Sequence, residues 1–417
     1  MANTFTLFFL AALALSIALR LWLSQRHIAH VTAQRAAVPA EFADRIPLAA
    51  HQKAADYTVA RSRFGRLALI AESVLLLALT LGGGLGFLVD FWRGHLDGLW
   101  YGTALIFSVM LISGIVDLPF AAWRQFVIEE RFGFNRMTPA LFIADLAKST
   151  ALGLLIGTPV ILAVLWLMAA MGTYWWLYVW LFWCAFNLLI LLIYPTWIAP
   201  LFNKFSPMAT GDTRERIESL LARCGFRSGG LFVMDGSKRS AHGNAYFTGF
   251  GRTKRIVFFD TLLERLQPTE VEAVLAHELG HFHHRHVIKR IFAMFGLSLL
   301  FLAVLGQLTD APWFYAGLGA PISADSDTAL ALILFFLAVP VFTFPLTPLG
   351  SLISRRHEFE ADRYAAAHAS GDDLVRALVK LYEDNASTLT PDPLHSLFYD
   401  SHPPAAVRIA HLQAATP

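Results

Sequence analysis

Two histidines flank a glutamate in the segment His277-Glu278-Leu279-Gly280-His281. On an α-helix, residues four apart share one face, so the imidazoles of His277 and His281 can bind a single metal ion. Glu278 lies beside them, where its carboxylate can reach a water that the metal activates. The segment therefore predicts the reactive centre of a zinc-dependent hydrolase.

The surrounding sequence favours the helix that this chemistry needs. Pro268 or Thr269, followed by Glu270 and Glu272, is a typical helix start. Apolar residues then recur at helical spacing, namely Val271, Val274, Leu275 and Leu279. The competing interpretation is a solvated helix that is merely rich in histidine, because three more follow, namely His283, His284 and His286.

A further protein ligand must come from elsewhere, since two histidines and a water leave one tetrahedral position open. A histidine six residues past the second histidine of the motif is excluded, because that position holds Val287. The segment SRRHEFEADRY at 354–364 offers carboxylates, with Glu358 as the first candidate and Glu360 as the second. Asp362, one turn after Glu358, can accept a hydrogen bond from a ligating histidine and fix its tautomer. The alternative is a solvated helix with internal ion pairs.

The composition indicates a multi-pass membrane protein. Mean hydropathy is +0.52, with 56% hydrophobic and 15% charged residues, which is outside the range of ordinary soluble domains. Apolar runs of about 20 residues, the length that crosses a bilayer, predict seven transmembrane helices. They lie near 5–23, 67–89, 100–121, 149–171, 174–198, 289–308 and 328–350. No basic residue precedes the first span and no clear cleavage site follows it, so we expect it to stay as an anchor.

Basic residues predict the orientation of these spans. Lysine and arginine concentrate in 24–66 and 122–148, whereas the connections on the opposite side carry almost none. The N-terminus is therefore expected outside, with the catalytic segments and the C-terminus in the cytoplasm. The predicted organisation is 1–198 with spans one to five, 199–288 with the motif helix, 289–350 with spans six and seven, and 351–417 with the third ligand.

Charge and cysteine content exclude other classes of protein. The formal net charge is +2 without a basic block, which excludes a nucleic-acid partner. Two cysteines, Cys184 and Cys224, form no disulfide framework, as expected for a reducing compartment. Abundant alanine and arginine suggest a bacterial source, and therefore an inner membrane.

Local patterns also predict an α+β arrangement around the motif. Residues 212–224 have the spacing of an amphipathic helix, and 231–234 and 255–259 have the composition of strands. A small sheet beside the zinc helix follows.

Three features inside the second and third spans are unusual. Gly82-Gly83-Gly84 is expected to mark a close contact with another helix. Glu72 and Asp117 place charges where charge is costly, which suggests a wet interior. The alternative for both acids is structural pairing with a neighbouring helix.

A series of segments in fixed order carries a resemblance to a known family. The segments are EERFGFNRMT at 129–138, YPTWIAPLFNKFSP at 194–207, SKRSAHGNAYFTGFGRTKRIVFFDTLL at 237–263, AHELGHF at 276–282, SRRHEFEAD at 354–362 and DPLHSLFYDSHPP at 392–404. The chain resembles the type I CAAX prenyl endopeptidases, integral-membrane zinc metalloproteases of the gluzincin type, and their bacterial relatives. The likeness spans nearly the whole chain.

The resemblance implies a mainly α fold of seven helices around a water-filled intramembrane chamber, capped by a cytoplasmic α+β zinc domain. It implies that His277, His281 and Glu358 hold one Zn²⁺ per chain and that Glu278 is the general base. It also implies that Asn244 and His402 line the cleft.

The expected reaction is hydrolysis of a peptide bond in a peptide or protein substrate, with lipidated substrates among the candidates. Glu278 would move the proton, and His402 would stabilise the tetrahedral oxyanion. The substrate is expected to add as a strand along Asn244-Ala245-Tyr246-Phe247, because backbone pairing makes little demand on sequence.

Three alternatives stay open. The chain could be a membrane quality-control protease of broad specificity, or a non-catalytic scaffold or transporter with a structural zinc. Intramembrane proteolysis of the site-2 type is disfavoured, because charged residues flank the motif, namely Glu270, Glu272, Arg285 and Lys289. No pattern predicts the oligomeric state.

Overall fold

The computed structural model describes residues 3–248, 255–321 and 327–415. In these ranges the elements follow the order α1 Thr4–Ala33, α2 Leu48–Leu79, α3 Gly84–Arg93, α4 Gly98–Trp123, α5 Pro139–Ala170, α6 Trp175–Ile193, β1 Phe205–Pro207, α7 Asp212–Arg223, β2 Leu231–Met234, β3 Ala245–Thr248, β4 Arg255–Phe259, α8 Asp260–Arg265, α9 Pro268–His283, α10 His286–Leu308, α11 Pro312–Gly317, α12 Thr328–Thr343, α13 Thr347–His368, α14 Gly371–Asp384, α15 Pro393–Tyr399 and α16 Ala405–Ala415. The mainly α prediction is confirmed. Part of one segment that carries the resemblance, 249–254, lies outside the described residues.

The described ranges contain six helices that are long and apolar enough to cross a membrane, and α2 with α3 makes a seventh, bent span. The bend of 51° falls at the three consecutive glycines. Gly83 has φ +81°, a left-handed conformation that glycine adopts without a steric penalty. A Cβ atom at Gly82 or Gly84 would meet the carbonyl oxygen of Ala78 at 2.8 Å, within the same span. The close helix contact predicted at the three glycines is the contact of the start of α3 with the end of α2 at this bend, where a Cβ atom at Gly84 would also lie 3.1 Å from the Leu79 Cα atom.

The spans contact one another in a ring, in the order α1, α2, α4, α5, α6, α10, α12 and back to α1, and α12 also contacts α4 and α5 across the ring. Only 6–11% of the apolar stretches of the spans built on α4, α5, α6 and α10 are buried. A helix in a solid bundle buries a whole face, so these helices touch their neighbours along narrow edges. The ring is filled at its end remote from the sheet, where Leu105, Leu165 and Leu334 are fully buried.

A small sheet of four strands, as far as the chain is described, lies beyond the other end of the ring. Its strand order is β1-β2-β4-β3, with β2 and β4 parallel and the other two pairs antiparallel. The strands predicted at 231–234 and 255–259 and the helix predicted at 212–224 are confirmed. β3 is an edge strand, since among the described residues it pairs only with β4.

One apolar core joins the segments on either side of the last two spans. Phe258 of β4, Leu275 of α9, Leu378 of α14 and Ile409 of α16 belong to the same buried cluster. Phe42 joins it from the connection between α1 and α2, and its side chain is fully buried. The sequence before α10 and the sequence after α12 therefore pack as one unit.

Candidate functional site

The helix that carries the motif begins as its sequence predicts. Pro268 occupies the first turn of α9, and Gln267 and Glu270 form a capping box in which the Glu270 carboxylate accepts the Gln267 backbone N–H at 2.7 Å. Val271 and Leu275 are buried on its apolar face. His277 therefore lies in the middle of a firmly anchored helix.

A glycine sets how closely α9 approaches α13. A Cβ atom at Gly280 would lie 2.8 Å from the Cα atom of Ala361 and 3.0 Å from the Cβ atom of Tyr364. Since any side chain at position 280 would collide with the α13 backbone, only glycine permits this approach. The two helices that carry the three candidate ligands are thereby brought together.

His277, His281 and Glu358 converge on one point. The Nε2 atoms of the two histidines are 3.3 Å apart, and each lies 3.4 Å from a carboxylate oxygen of Glu358. Ligand atoms around a tetrahedral zinc, each about 2.0–2.1 Å from the metal, are about 3.3 Å apart. The three side chains thus form three corners of a tetrahedron of the size that zinc requires.

The chemistry of this cluster also fits a metal. Among the described residues, Glu358 Oε2 is buried without a hydrogen-bond partner, and buried carboxylates normally have one. Burial opposes protonation of His277, but contacts with Asp362 and Glu358 raise its pKa to about 9. The site therefore favours positive charge, and a dication would bind the oxygen that has no hydrogen-bond partner.

Two further predicted residues lie next to this cluster, Glu278 in sequence and His402 in space. Glu278 is half-buried on α9, adjacent to His277. His402 Nε2 lies 3.5 Å from Glu358 Oε1, and the His402 side chain is 62% exposed, so it also faces solvent. Burial lowers the pKa of His402, which favours the neutral ring. A neutral imidazole can donate one N–H.

The predicted substrate segment begins the edge strand of the sheet. Asn244 is exposed, and its backbone carbonyl accepts the Phe259 N–H at 2.9 Å, which extends the pairing of β3 by one residue. Ala245, Tyr246 and Phe247 form β3 itself, and the Phe247 ring lies 4.7 Å from that of Phe282 on α9. The edge strand therefore runs beside the last turn of the motif helix.

Comparison with known proteins identifies the family. Residues 27–204 match a family model described as CAAX prenyl protease N-terminal, five membrane helices, and residues 207–416 match the model of peptidase family M48. The chain belongs to peptidase family M48. A CAAX prenyl protease 1 homolog from Caenorhabditis elegans is 34% identical, over 97% of this chain and 97% of that protein. The homolog from Arabidopsis thaliana is 39% identical, over 72% of this chain and 71% of that protein.

The fold agrees with a solved structure. The crystal structure of S. mikatae Ste24p matches with a TM-score of 0.90 and 30% identity, covering 99% of this chain and 100% of that chain. The predicted resemblance, fold class and enzyme class are confirmed, and this M48 chain is a membrane zinc metalloprotease. Its substrates are peptides or proteins, and its environment is a lipid bilayer.

Asp362 and a residue that sequence analysis missed support His277 in this M48 chain. His277 Nδ1 lies 2.8 Å from Asp362 Oδ1, and the fully buried Asp362 also accepts the Arg408 Nε–H at 2.9 Å. Burial opposes the charge of Arg408, but its contact with Asp362 raises its pKa further above the usual range. One signal could have found Arg408, because it shares a helical face with Ala405, Ile409 and Leu412.

A second chain of contacts supports His281. Arg285 has φ 56°, so the backbone turns sharply after α9 and places His286 against the motif. His281 Nδ1 lies 2.9 Å from His286 Nδ1, and His286 Nε2 lies 2.9 Å from Glu360 Oε2. Glu360, the second candidate for the third ligand, therefore contacts His286 and is not part of the cluster. A carboxylate at the end of such a chain fixes the tautomer of the ligating ring.

Proposed function

We propose that His277, His281 and Glu358 hold one Zn²⁺ per chain and that Glu278 is the general base for peptide-bond hydrolysis. The observation that supports this best is the buried Oε2 of Glu358, which has no hydrogen-bond partner among the described residues and lies 3.4 Å from the Nε2 atom of His277 and 3.7 Å from Arg408 Nη1. Three ligands beside an acidic side chain favour a catalytic site over a closed structural one.

Each side chain has a distinct task in this proposal. A zinc ion held here would lower the pKa of water toward about 7 and polarise the scissile carbonyl. The Glu278 carboxylate takes the water proton and gives it to the leaving amine. His402 donates its N–H to the developing oxyanion, and Asp362 holds His277 in the tautomer that leaves Nε2 free to bind metal.

The substrate binds as an added strand on the outer edge of β3, from Asn244 to Phe247. Backbone hydrogen bonds would hold an extended peptide with little demand on its sequence. The names of the relatives include CAAX and prenyl, so we extend the proposal to lipidated peptides. Such a substrate needs a route from the bilayer.

The ring of spans supplies that route. The low burial of its helices supports a chamber between them, which Glu72 and Asp117 would keep wet. The catalytic unit, formed by 199–288 and 351–417, faces the cytoplasm and the N-terminus lies outside, in the inner membrane of a bacterium. The basic residues in 24–66 and 122–148 support this orientation.

Glu278→Gln tests the assignment most directly. We expect the purified variant to retain about one zinc per chain while peptide or casein cleavage in detergent falls by roughly 10²- to 10⁴-fold. Glu272→Gln is the matched control on the same helix, because Glu272 pairs with Arg223 at 2.7 Å and has no place in the mechanism. Wild-type cleavage by Glu278→Gln would refute the role of this residue. Zinc binding without any cleavage by the wild type would favour the scaffold alternative.

A further inference from the structure

A polar pocket of about 270 Å³ lies beside the loop that leads into β3. Three parts of the fold line it: α2 contributes Tyr57 and Arg61, the π-helical turn that continues α4 contributes Arg124 and Glu129, and the loop before β3 contributes Ser240 and His242. The pocket therefore lies where the membrane spans meet the catalytic unit.

The two guanidinium groups of this pocket outnumber its one carboxylate. Within the described ranges, neither Arg61 nor Arg124 has a carboxylate within ion-pair distance. The one acidic side chain of the pocket is already engaged, because Glu129 accepts a hydrogen bond from the Tyr57 hydroxyl at 2.7 Å and lies 3.6 Å from His242 Nε2. The pocket thus offers donors for an anion.

The pocket lies near the start of the proposed path of the substrate. His242 stands three residues before Ala245, the first residue of β3. An extended chain advances about 3.3 Å per residue, so about 10 Å separates the start of the strand from the pocket. A peptide added along β3 and extended past Asn244 would reach the two arginines after about three residues.

We propose that this pocket binds the C-terminal carboxylate of the peptide substrate through Arg61 and Arg124. The proposal rests on the binding of substrate along β3 described above. Charge decides the direction of the peptide, because two guanidiniums attract a carboxylate and repel an amino terminus. Guanidiniums bind carboxylates through paired N–H donors, which would fix the end of the chain. Cleavage then falls at a short, set distance from the C-terminus.

The test compares two peptides that differ only at the C-terminus. A farnesylated, fluorogenic peptide that ends in Cys-Val-Ile-Ser is prepared with a free carboxylate and with a carboxamide. Both are assayed with the wild type and with Arg61→Gln, Arg124→Gln and the double variant. Arg63→Gln is the matched control, since Arg63 is an exposed arginine of α2 that does not line the pocket.

We expect the wild type to cleave the acid with a KM roughly tenfold or more below that of the amide, because charge-assisted hydrogen bonds are the strong ones. The double variant should raise the KM of the acid to that of the amide and leave the amide unchanged. Arg63→Gln should behave as the wild type.

Two results would refute carboxylate binding by the pocket and leave the proposed function intact. They are equal cleavage of both peptides by the wild type, or an equal loss of cleavage for both peptides in the double variant. Failure of the wild type to cleave either peptide would instead refute the proposed function. If the double variant does not fold, an inhibition experiment on the wild-type enzyme tests the pocket instead. The tripeptide Val-Ile-Ser with a free carboxylate should then inhibit cleavage, and its amide should not.

Discussion

Gly280→Ala should separate the two ligand helices and weaken zinc binding. The added Cβ atom would lie 2.8 Å from Ala361 Cα and 3.1 Å from Ala361 O, whereas ordinary contact begins at 3.4 Å. α9 and α13 must therefore move apart by about 0.6 Å, which exceeds the tolerance of about 0.2 Å in metal–ligand distances. Since Glu358 is on one helix and both histidines are on the other, the displacement falls directly on the zinc site.

The magnitude follows from the cost of overpacking, about 1–3 kcal/mol. Without metal the helices can relax apart, but zinc binding requires the close approach, so the strain appears as lost affinity. We expect zinc affinity, measured by competition with a chelator, to fall by about 5- to 150-fold. Shortening the side chain of Ala361 should not restore it, because the collision is with backbone atoms.

Gly296→Ala in α10 is the matched control, since nothing lies within 4 Å of a Cβ atom there. This change should leave zinc affinity unaltered and favour the helix by about 0.5–1 kcal/mol. Wild-type zinc affinity in Gly280→Ala would refute the reasoning, because it would mean that the helix spacing does not determine the geometry of the ligands.

Two further predictions concern the groups behind the ligands. Arg408→Met should lower the free energy of unfolding by about 3–5 kcal/mol, because it leaves the buried Asp362 carboxylate without its cation. An unchanged denaturation profile in detergent would contradict this. Glu360→Gln should reduce zinc affinity by about 10- to 100-fold, because His286 would hold His281 less firmly. Chelator competition measures this effect, and an affinity equal to that of the wild type would show that the His286 contact does not influence the ligand.

Local geometry explains why the centre of the site could be predicted from sequence. The spacing of His277 and His281 places both rings on one helical face regardless of the rest of the fold. Glu358 and Asp362 follow the same rule on a second helix. What spacing could not supply is the distance between the helices, which depends on the small residue at 280 and on the core beneath it. Family resemblance, more than pattern, pointed to His402.

Sequence analysis was incomplete where a residue type can have several structural roles. The three consecutive glycines inside a span predicted a close helix contact but not the break of the span, which depends on the left-handed φ of Gly83. Sequence analysis did not single out Arg408, although its position on an apolar helical face was a usable signal. His286 appeared only as one member of a histidine-rich run, because its role depends on the left-handed turn at Arg285.

Short connections join the catalytic unit to the membrane ring. α9 passes into α10 through His284 and Arg285 alone, and α12 passes into α13 through the short turn Phe344–Leu346. Both ligand helices are thus direct extensions of neighbouring spans, and α10 and α12 contact each other in the ring. Because a metal site tolerates only small changes in distance, the packing of these two spans must be firm. The filled end of the ring, remote from the zinc site, supplies that firmness, and in the proposed function the end near the site admits the substrate.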